Sequence, residues 1–142
     1  MEIHEIENGK VEFNPEIPAI IWTAKGFMHS NEFRELTMKG VEAFIENKKQ
    51  NPNICWLNDV RKMKVISGAD QTWLNTKIND EVEKQGLRKL AMVLPENIFA
   101  KMAQLYTEVA LKRHKNNLEI KSFKEYNKAV EWLKNAAYEL SN

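Results

Sequence analysis

The chain has 142 residues, of which 43% are hydrophobic and 29% charged, a composition that is typical of one globular domain and not of a disordered chain. Its 21 basic and 20 acidic residues leave a net charge of +1, so charge gives no reason to expect nucleic acid as a partner. Because Cys55 is the single cysteine and no apolar run exceeds strand length, we expect no intrachain disulfide, no thiolate metal cluster and no membrane span, and we expect a cytoplasmic location.

The N-terminal part predicts an antiparallel meander of three strands. The dipeptide Asn8-Gly9 lies between two strand-like stretches, 2–7 and 10–14, and predicts a hairpin because both of its residues tolerate positive φ. A third strand is expected over 17–24. Since Pro18 cannot donate to a ladder, this end of the strand should lie at a sheet edge or precede the pairing.

Four amphipathic helices are expected after the meander. Ser30 is a good N-cap for the first, and Ser67 forms an S-x-x-D capping box with Asp70 at the start of the second, which Gly86 ends. The third follows Pro95. The apolar residues expected on the inner faces are, in chain order, Phe33, Leu36, Gly40, Val41, Phe44 and Ile45; Ala69, Trp73, Leu74, Ile78 and Val82; Ile98, Phe99, Met102, Ala103, Tyr106, Val109 and Ala110; and Tyr126, Ala129, Val130, Leu133 and Ala137.

Strands are expected between these helices, over 54–60, 90–94 and 118–123. Three strands followed by α-β-α-β-α-β-α predict an α/β fold with a single mixed sheet, in which an N-terminal antiparallel meander precedes parallel βαβ units and four helices. No linker, repeat or low-complexity tract interrupts the sequence, so we expect residues 1–142 to form a single domain.

The most suggestive polar residues lie at the carboxyl end of the strand over 54–60. Asp59 and Arg61 could hold a ligand or a charged group of a partner, or they could pair with each other. Ser67 could accept a phosphoryl group at a helix N-terminus, although its role as N-cap already explains it. In the loop between, Met63, Val65 and Ile66 either pack on the core or form, beside Trp73, an apolar patch for a protein partner or a greasy ligand.

The sequence predicts no catalytic, cofactor or metal site, and so no enzyme. Cys55 would need a base and a lowered pKa to act as a nucleophile, whereas a cysteine in an apolar strand is usually a small core residue. The histidines at 4, 29 and 114 are not at the spacing of metal ligands. The dinucleotide-binding, P-loop and zinc-protease motifs G-x-G-x-x-G, G-x-x-x-x-G-K-[ST] and H-E-x-x-H do not occur.

Several phrases nevertheless resemble one family. They are Trp22-Thr23-Ala24-Lys25-Gly26-Phe27 with Ser30-Asn31-Glu32-Phe33-Arg34, Asn58-Asp59-Val60-Arg61-Lys62-Met63 with Ile66-Ser67, Val93-Leu94-Pro95-Glu96-Asn97-Ile98-Phe99-Ala100, and Phe123 with Ala129-Val130-Glu131-Trp132-Leu133. In these phrases and in the order of its elements, the chain resembles the small STAS-like proteins related to SpoIIAA-type anti-sigma-factor antagonists.

The resemblance implies a cytoplasmic binding or signalling module. In the antagonists a strand ends in an acid, which Asp59 matches, and a serine at the start of the next helix is phosphorylated by a partner kinase. Ser67-Gly68 matches only the tail of the family's Asp-Ser-Ser-Gly signature, because Val65-Ile66 stand in place of its Asp-Ser. Some relatives instead bind lipids or other apolar molecules between the sheet and the helices.

We therefore expect a non-catalytic protein-interaction or signalling module whose surface includes Asp59, Arg61, Met63, Ser67 and Trp73. The alternatives are a carrier or sensor of a small apolar ligand such as a lipid, and an enzyme that uses Cys55. An edge strand or an exposed helix face would also allow a homodimer.

Overall fold

A computed structural model describes residues 1–64, 66–111 and 117–141. Within these ranges the chain forms one mixed sheet of six strands and four helices, so the predicted α/β class is confirmed. The strands are β1 (Glu2–Ile6), β2 (Gly9–Asn14), β3 (Ala19–Gly26), β4 (Cys55–Met63), β5 (Lys89–Val93) and β6 (Glu119–Phe123).

The helices are α1 (Ser30–Lys48), α2 (residues 68–84), α3 (Phe99–Leu111) and α4 (Tyr126–Ser141). In α2, two α-helical segments, Gly68–Trp73 and Asn79–Lys84, flank a π-helical turn at Leu74–Ile78, and a 3₁₀ turn at Glu96–Ile98 precedes α3. Of the residues interpreted from the sequence, Val65, His114 and the side chains of Tyr106, Val109, Ala110 and Ala137 lie outside the described part.

The strands follow one another across the sheet in sequence order. β1, β2 and β3 pair antiparallel, and β3, β4, β5 and β6 pair parallel, which confirms the meander followed by βαβ units. Pro18 precedes the pairing of β3, as expected. The strands β3 and β4 therefore occupy the middle of the sheet.

The helices cover the two faces of the sheet unequally. Right-handed crossovers that all step in one direction place their helices on the same side. Accordingly α1, α2 and the start of α3 pack on one core, which includes Trp22, Phe33 and Val82. On the other side, Ala129 and Leu133 of α4 pack on a second core. We call these sides the α1–α3 face and the α4 face.

The structure corrects two local predictions near the N-terminus. The hairpin turn consists of Glu7 and Asn8, because Ile6 pairs directly with Gly9, and Gly9 does not have the positive φ that the sequence predicted. Gly9 instead permits close packing, since a Cβ there would lie 2.5 Å from Leu36 Cδ2. The N-cap of α1 also differs from the prediction, since it is His29 and not Ser30. The backbone N of His29 donates to the Glu32 carboxylate at 3.0 Å.

The second helix confirms its predicted ends and its predicted inner face at Trp73, Leu74, Ile78 and Val82, but not at its first turn. Ser67 Oγ accepts from the backbone N of Asp70 at 3.1 Å, and Gly86 has a φ of +106° just beyond the helix. At the first turn Asp70 is buried and Ala69 is exposed. A π-helical turn contains more residues than an α-helical turn, so residues four positions apart stay on the same side of α2. The residues on its inner side are Asp70, Leu74, Ile78 and Val82.

Candidate functional site

A bulge in β4 determines where the candidate side chains lie. The strand continues to Met63 instead of ending at Val60. Thr23 of β3 pairs with Asp59, but Lys25 pairs with Lys62, so β4 gains one residue relative to its neighbour. An extra residue reverses the side on which the following side chains lie. Asp59 precedes the bulge and, two residues after Leu57, lies on the α4 face, whereas Met63 follows the bulge and packs on the α1–α3 core.

On the α4 face, Asp59 and Arg61 form a bidentate ion pair. Arg61 Nε donates to Asp59 Oδ1 at 2.9 Å, and Arg61 Nη2 donates to Asp59 Oδ2 at 2.7 Å. The hydrogen bond that Arg61 donates to this carboxylate raises the pKa of Arg61, and the guanidinium lies 5.4 Å from the centre of the Tyr126 ring. The Asp59 side chain is only 11% exposed. Its carboxylate is thus engaged by Arg61, while the other side of the guanidinium faces solvent.

This ion pair borders a polar cleft of about 250 Å³ between the β1–β2 hairpin and the ends of β3 and β4. The charged residues that line the cleft are Glu5, Glu7, Lys10, Lys25, Asp59, Arg61 and Lys62. Since charges of both signs line it, the cleft does not favour an anion or a cation by charge alone.

On the α1–α3 face, a buried carboxylate joins the start of α2 to α1. Asp70 is 3% exposed, and its Oδ1 accepts from Ser30 Oγ at 2.7 Å and from Arg34 Nε at 2.8 Å. Burial alone would raise the pKa of Asp70, but the hydrogen bonds from Arg34, Ser30 and Ser67 outweigh it and lower the pKa below its ordinary value. The Ser67 hydroxyl is thus part of a structural cluster.

Aromatic and basic side chains surround this cluster at the surface. The Arg34 guanidinium lies 4.9 Å from the centre of the Trp73 ring, and its side chain remains 41% exposed. Phe27, which is 55% exposed, follows β3 at the same end of the sheet, where Gly26 O accepts from the backbone N of Lys64 at 2.8 Å. We call the set Phe27, Arg34, Ile66, Ser67 and Trp73 the junction surface.

The structure therefore divides the five residues that the sequence singled out. Met63, Ser67 and Trp73 are on the α1–α3 face, and Asp59 and Arg61 are on the α4 face. The sequence predicts Ser30 only as an N-cap and assigns no site role to Arg34 or Phe27. The spacing of Ser30 and Arg34, one helical turn apart, was the only available signal that both could reach one acceptor on a neighbouring helix.

A small cavity of about 20 Å³ lies between the sheet and the helices α1 and α2. Its lining is mostly apolar, with Trp22, Trp56, Leu74 and Met92 among the larger side chains. Asn58 also lines it and accepts from Trp56 Nε1 at 2.7 Å. Because the walls reach the half-buried Met63, Ile66 and Leu74, the cavity lies directly beneath the junction surface.

The remaining chemistry-bearing residues offer little for catalysis. Cys55 is fully buried, and burial raises the pKa of its thiol to about 11, so the thiol is protonated at neutral pH. Its Sγ is 3.5 Å from the Asn53 carbonyl oxygen. The described residues contain no group of three or more His, Cys, Asp or Glu side chains that could hold a metal ion. Among the same residues, no helix is long and apolar enough to span a bilayer.

Comparison with known proteins gives a consistent family match. The family model described as SpoIIAA-like matches residues 19–134. The crystal structure of an uncharacterised protein of the DUF3478 family from Shewanella loihica, described as having a SpoIIAA-like fold, superimposes with a TM-score of 0.62. At 17% identity over 88% of this chain and 91% of that one, the likeness shows the fold. No curated protein matches the sequence.

Proposed function

The chain belongs to the SpoIIAA-like family, and from this membership we propose that it is a cytoplasmic, non-catalytic module that binds a protein partner through the junction surface. The observation that carries the proposal is the exposed Arg34 guanidinium on the Trp73 ring, fixed from below by the buried Asp70. The resemblance to anti-sigma-factor antagonists supports a role in binding over a role in catalysis.

The residue types of the junction surface are those that dominate protein interfaces. Tryptophan and arginine are enriched among hot spots, and aromatic residues are enriched at interface cores. Here Trp73 also contacts Phe33 edge-to-face, with ring centres 6.2 Å apart, so its ring is held in place before any partner binds. A side chain that is already ordered loses less conformational entropy on association.

The Asp59–Arg61 pair is proposed as a separate, secondary contact. It lies on the opposite face of the sheet, so one flat partner surface would not cover both. A partner that reaches around the end of β4 would meet the open side of the Arg61 guanidinium. Truncation of Arg61 therefore tests the secondary contact, whereas a substitution in the junction surface tests the main one.

Affinity purification from the native cytoplasm tests this proposal with three variants. Phe27→Asp places a charge on the junction surface, Arg61→Ala removes the secondary contact, and Ile98→Asp changes an apolar residue that is 42% exposed elsewhere. We expect Phe27→Asp to recover at least about tenfold less of the partner than wild type, as loss of a hot spot predicts. Ile98→Asp should recover the wild-type amount. Equal recovery by Phe27→Asp and Ile98→Asp would contradict the proposed surface.

A second candidate function is that of a carrier or sensor of a small apolar ligand. The cavity between the sheet and α1 and α2, with its mostly apolar lining, favours it. Native mass spectrometry of freshly purified protein, combined with thermal unfolding in the presence of a lipid panel, tests it. A retained ligand mass or a raised midpoint is expected. A clean mass of the free protein together with unchanged midpoints would remove this candidate.

A further inference from the structure

Trp22, which lines the cavity, has a buried hydrogen-bond donor without an acceptor among the described residues. Trp22 is 4% exposed, and its indole Nε1 lacks a hydrogen-bond partner within the described part of the chain. The neighbouring Trp56 indole is satisfied by Asn58. A buried indole N–H normally has a partner, and leaving it without one costs about 1–3 kcal/mol. Such a group in a native protein therefore needs a partner, either an internal water or a ligand.

A second donor on the same wall has only a weak acceptor. Asn58 Nδ2 donates to the Met92 thioether sulfur at 3.4 Å. Sulfur in a thioether is a poor acceptor compared with oxygen. Both Asn58 and Trp22 line the cavity. Two lining residues thus carry donors for which an oxygen acceptor would improve the hydrogen bonding.

The remaining lining sets the charge of any occupant. None of the described residues that line the cavity has an ionisable side chain. A charged group placed there would lose its hydration without a counter-ion, which is far more costly than burying a neutral polar group. The site therefore selects for a neutral molecule.

Access requires movement of the outer wall. The volume of about 20 Å³ is room for roughly one water molecule. Met63, Ile66 and Leu74 form the half-buried part of the wall, and methionine adapts its shape easily. Leu74 and Ile78 belong to the π-helical turn of α2, and such turns occur frequently at functional sites. Outward displacement of these side chains would admit a larger molecule.

We propose that the cavity binds a neutral, largely apolar molecule with one acceptor oxygen, and that Trp22 Nε1 donates to this oxygen. This inference rests on the second proposed function, that of an apolar-ligand carrier or sensor, and names the ligand class. The hydrogen bond accounts for the buried indole N–H, and the apolar walls contact the hydrocarbon part of the ligand.

The inference is tested by recording the indole N–H resonances in two-dimensional ¹H–¹⁵N NMR spectra. The spectra are compared for the protein with octanone, with octane, with octanoate and without ligand. We expect octanone to shift the Trp22 indole resonance and to raise the thermal midpoint more than octane does, with octanoate inactive. The Trp132 indole, whose ring packs with the α4 face, is the internal reference and should not move. Trp22→Phe should weaken octanone binding about threefold to tenfold and leave octane binding unchanged, as loss of one hydrogen bond predicts.

The outcomes separate the inference from the function on which it rests. Equal binding of octane and octanone without a Trp22 shift would overturn the role of Trp22 and leave an apolar carrier. Absence of any shift or stabilisation by all three compounds would remove both. A Trp22 indole bonded to an internal water that persists with octanone would also overturn the inference. If Trp22→Phe does not fold, the wild-type indole shifts decide alone.

Discussion

Asp70 is the residue on which the junction between α1 and α2 depends most directly. It is buried and accepts hydrogen bonds from Ser30 and Arg34 of α1, while its own backbone N is capped by Ser67. A charge-assisted hydrogen bond is stronger than a neutral one. If the carboxylate were lost, the donors of Ser30 and Arg34 would be left without this acceptor. The same carboxylate orients the guanidinium that lies on Trp73.

We predict that Asp70→Asn lowers the free energy of unfolding by about 1–3 kcal/mol at neutral pH, because an amide cannot replace the charged acceptor. The folded-state pKa of Asp70 is lowered, so its contribution is complete above the unfolded-state pKa, about 3.9, and is lost as pH falls through the folded-state value. Urea unfolding of both proteins should therefore show a difference that shrinks in acid. The exposed Glu35→Gln is the control and should change little. A difference that stays constant down to the acid limit would contradict this role.

A second prediction concerns Cys55. Because burial raises the pKa of its thiol to about 11, we expect the folded protein to resist iodoacetamide and the unfolded protein to react. Mass spectrometry of the alkylated product, with and without denaturant, measures this. Rapid alkylation of the folded protein would reopen the hypothesis of an enzyme that uses Cys55.

At the scale of elements, α1 and β4 fit together through Gly40. A Cβ at Gly40 would lie 2.8 Å from Trp56 Cη2, closer than side chains pack. Trp56 is buried and also contacts Phe44, with ring centres 6.3 Å apart. The absence of a side chain at Gly40 thus lets α1 approach the sheet and complete the wall of the cavity.

Gly40→Ala is therefore expected to destabilise the protein by about 1–3 kcal/mol through overpacking, even though alanine favours helices by about 1 kcal/mol over glycine. Chemical denaturation measures the change. The matched control is Gly68→Ala, since a Cβ at Gly68, in the first turn of α2, would meet nothing within 4 Å. Stabilisation by both substitutions would show that α1 does not pack as closely as described.

The N-cap of α2 gives a prediction for the same junction. Ser67→Ala removes the acceptor for the backbone N of Asp70 and should cost about 1 kcal/mol, whereas Ser67→Asn should keep most of the stability. Thermal unfolding of the three proteins distinguishes these outcomes. Equal midpoints for Ser67→Ala and wild type would mean that the cap contributes nothing measurable.

The existence and order of the elements could be predicted because they depend on local patterns. The two periods of apolar residues, the turn signals and the capping box at Ser67 each act over a few residues. The separation of Asp59 and Met63 onto opposite sides of the sheet could not be predicted, because it depends on a bulge after Asp59 that is set by pairing with β3. The burial of Asp70 likewise depends on donors from α1, forty positions earlier for Ser30.

At the scale of the whole molecule, the division of the helices between the two faces separates the proposed sites. Three helices cover one side of the sheet, and α4 covers the other within the described part of the chain. The cavity and the junction surface therefore share the α1–α3 face, while the Asp59–Arg61 pair is on the far side. The half-buried Met63, Ile66 and Leu74 lie between the cavity and the junction surface. A ligand that moved these side chains would therefore also alter the junction surface.

The most direct test of partner binding through the junction surface is site-specific photo-crosslinking in the native cells. A photoreactive residue replaces Phe27 in one protein and Ile98 in a second, both of which are exposed. We expect position 27 to give a crosslink to one defined protein, lost when Trp73→Ala is added, and position 98 to give none. The same crosslinked products from both positions, or no product from position 27, would contradict partner binding through the junction surface.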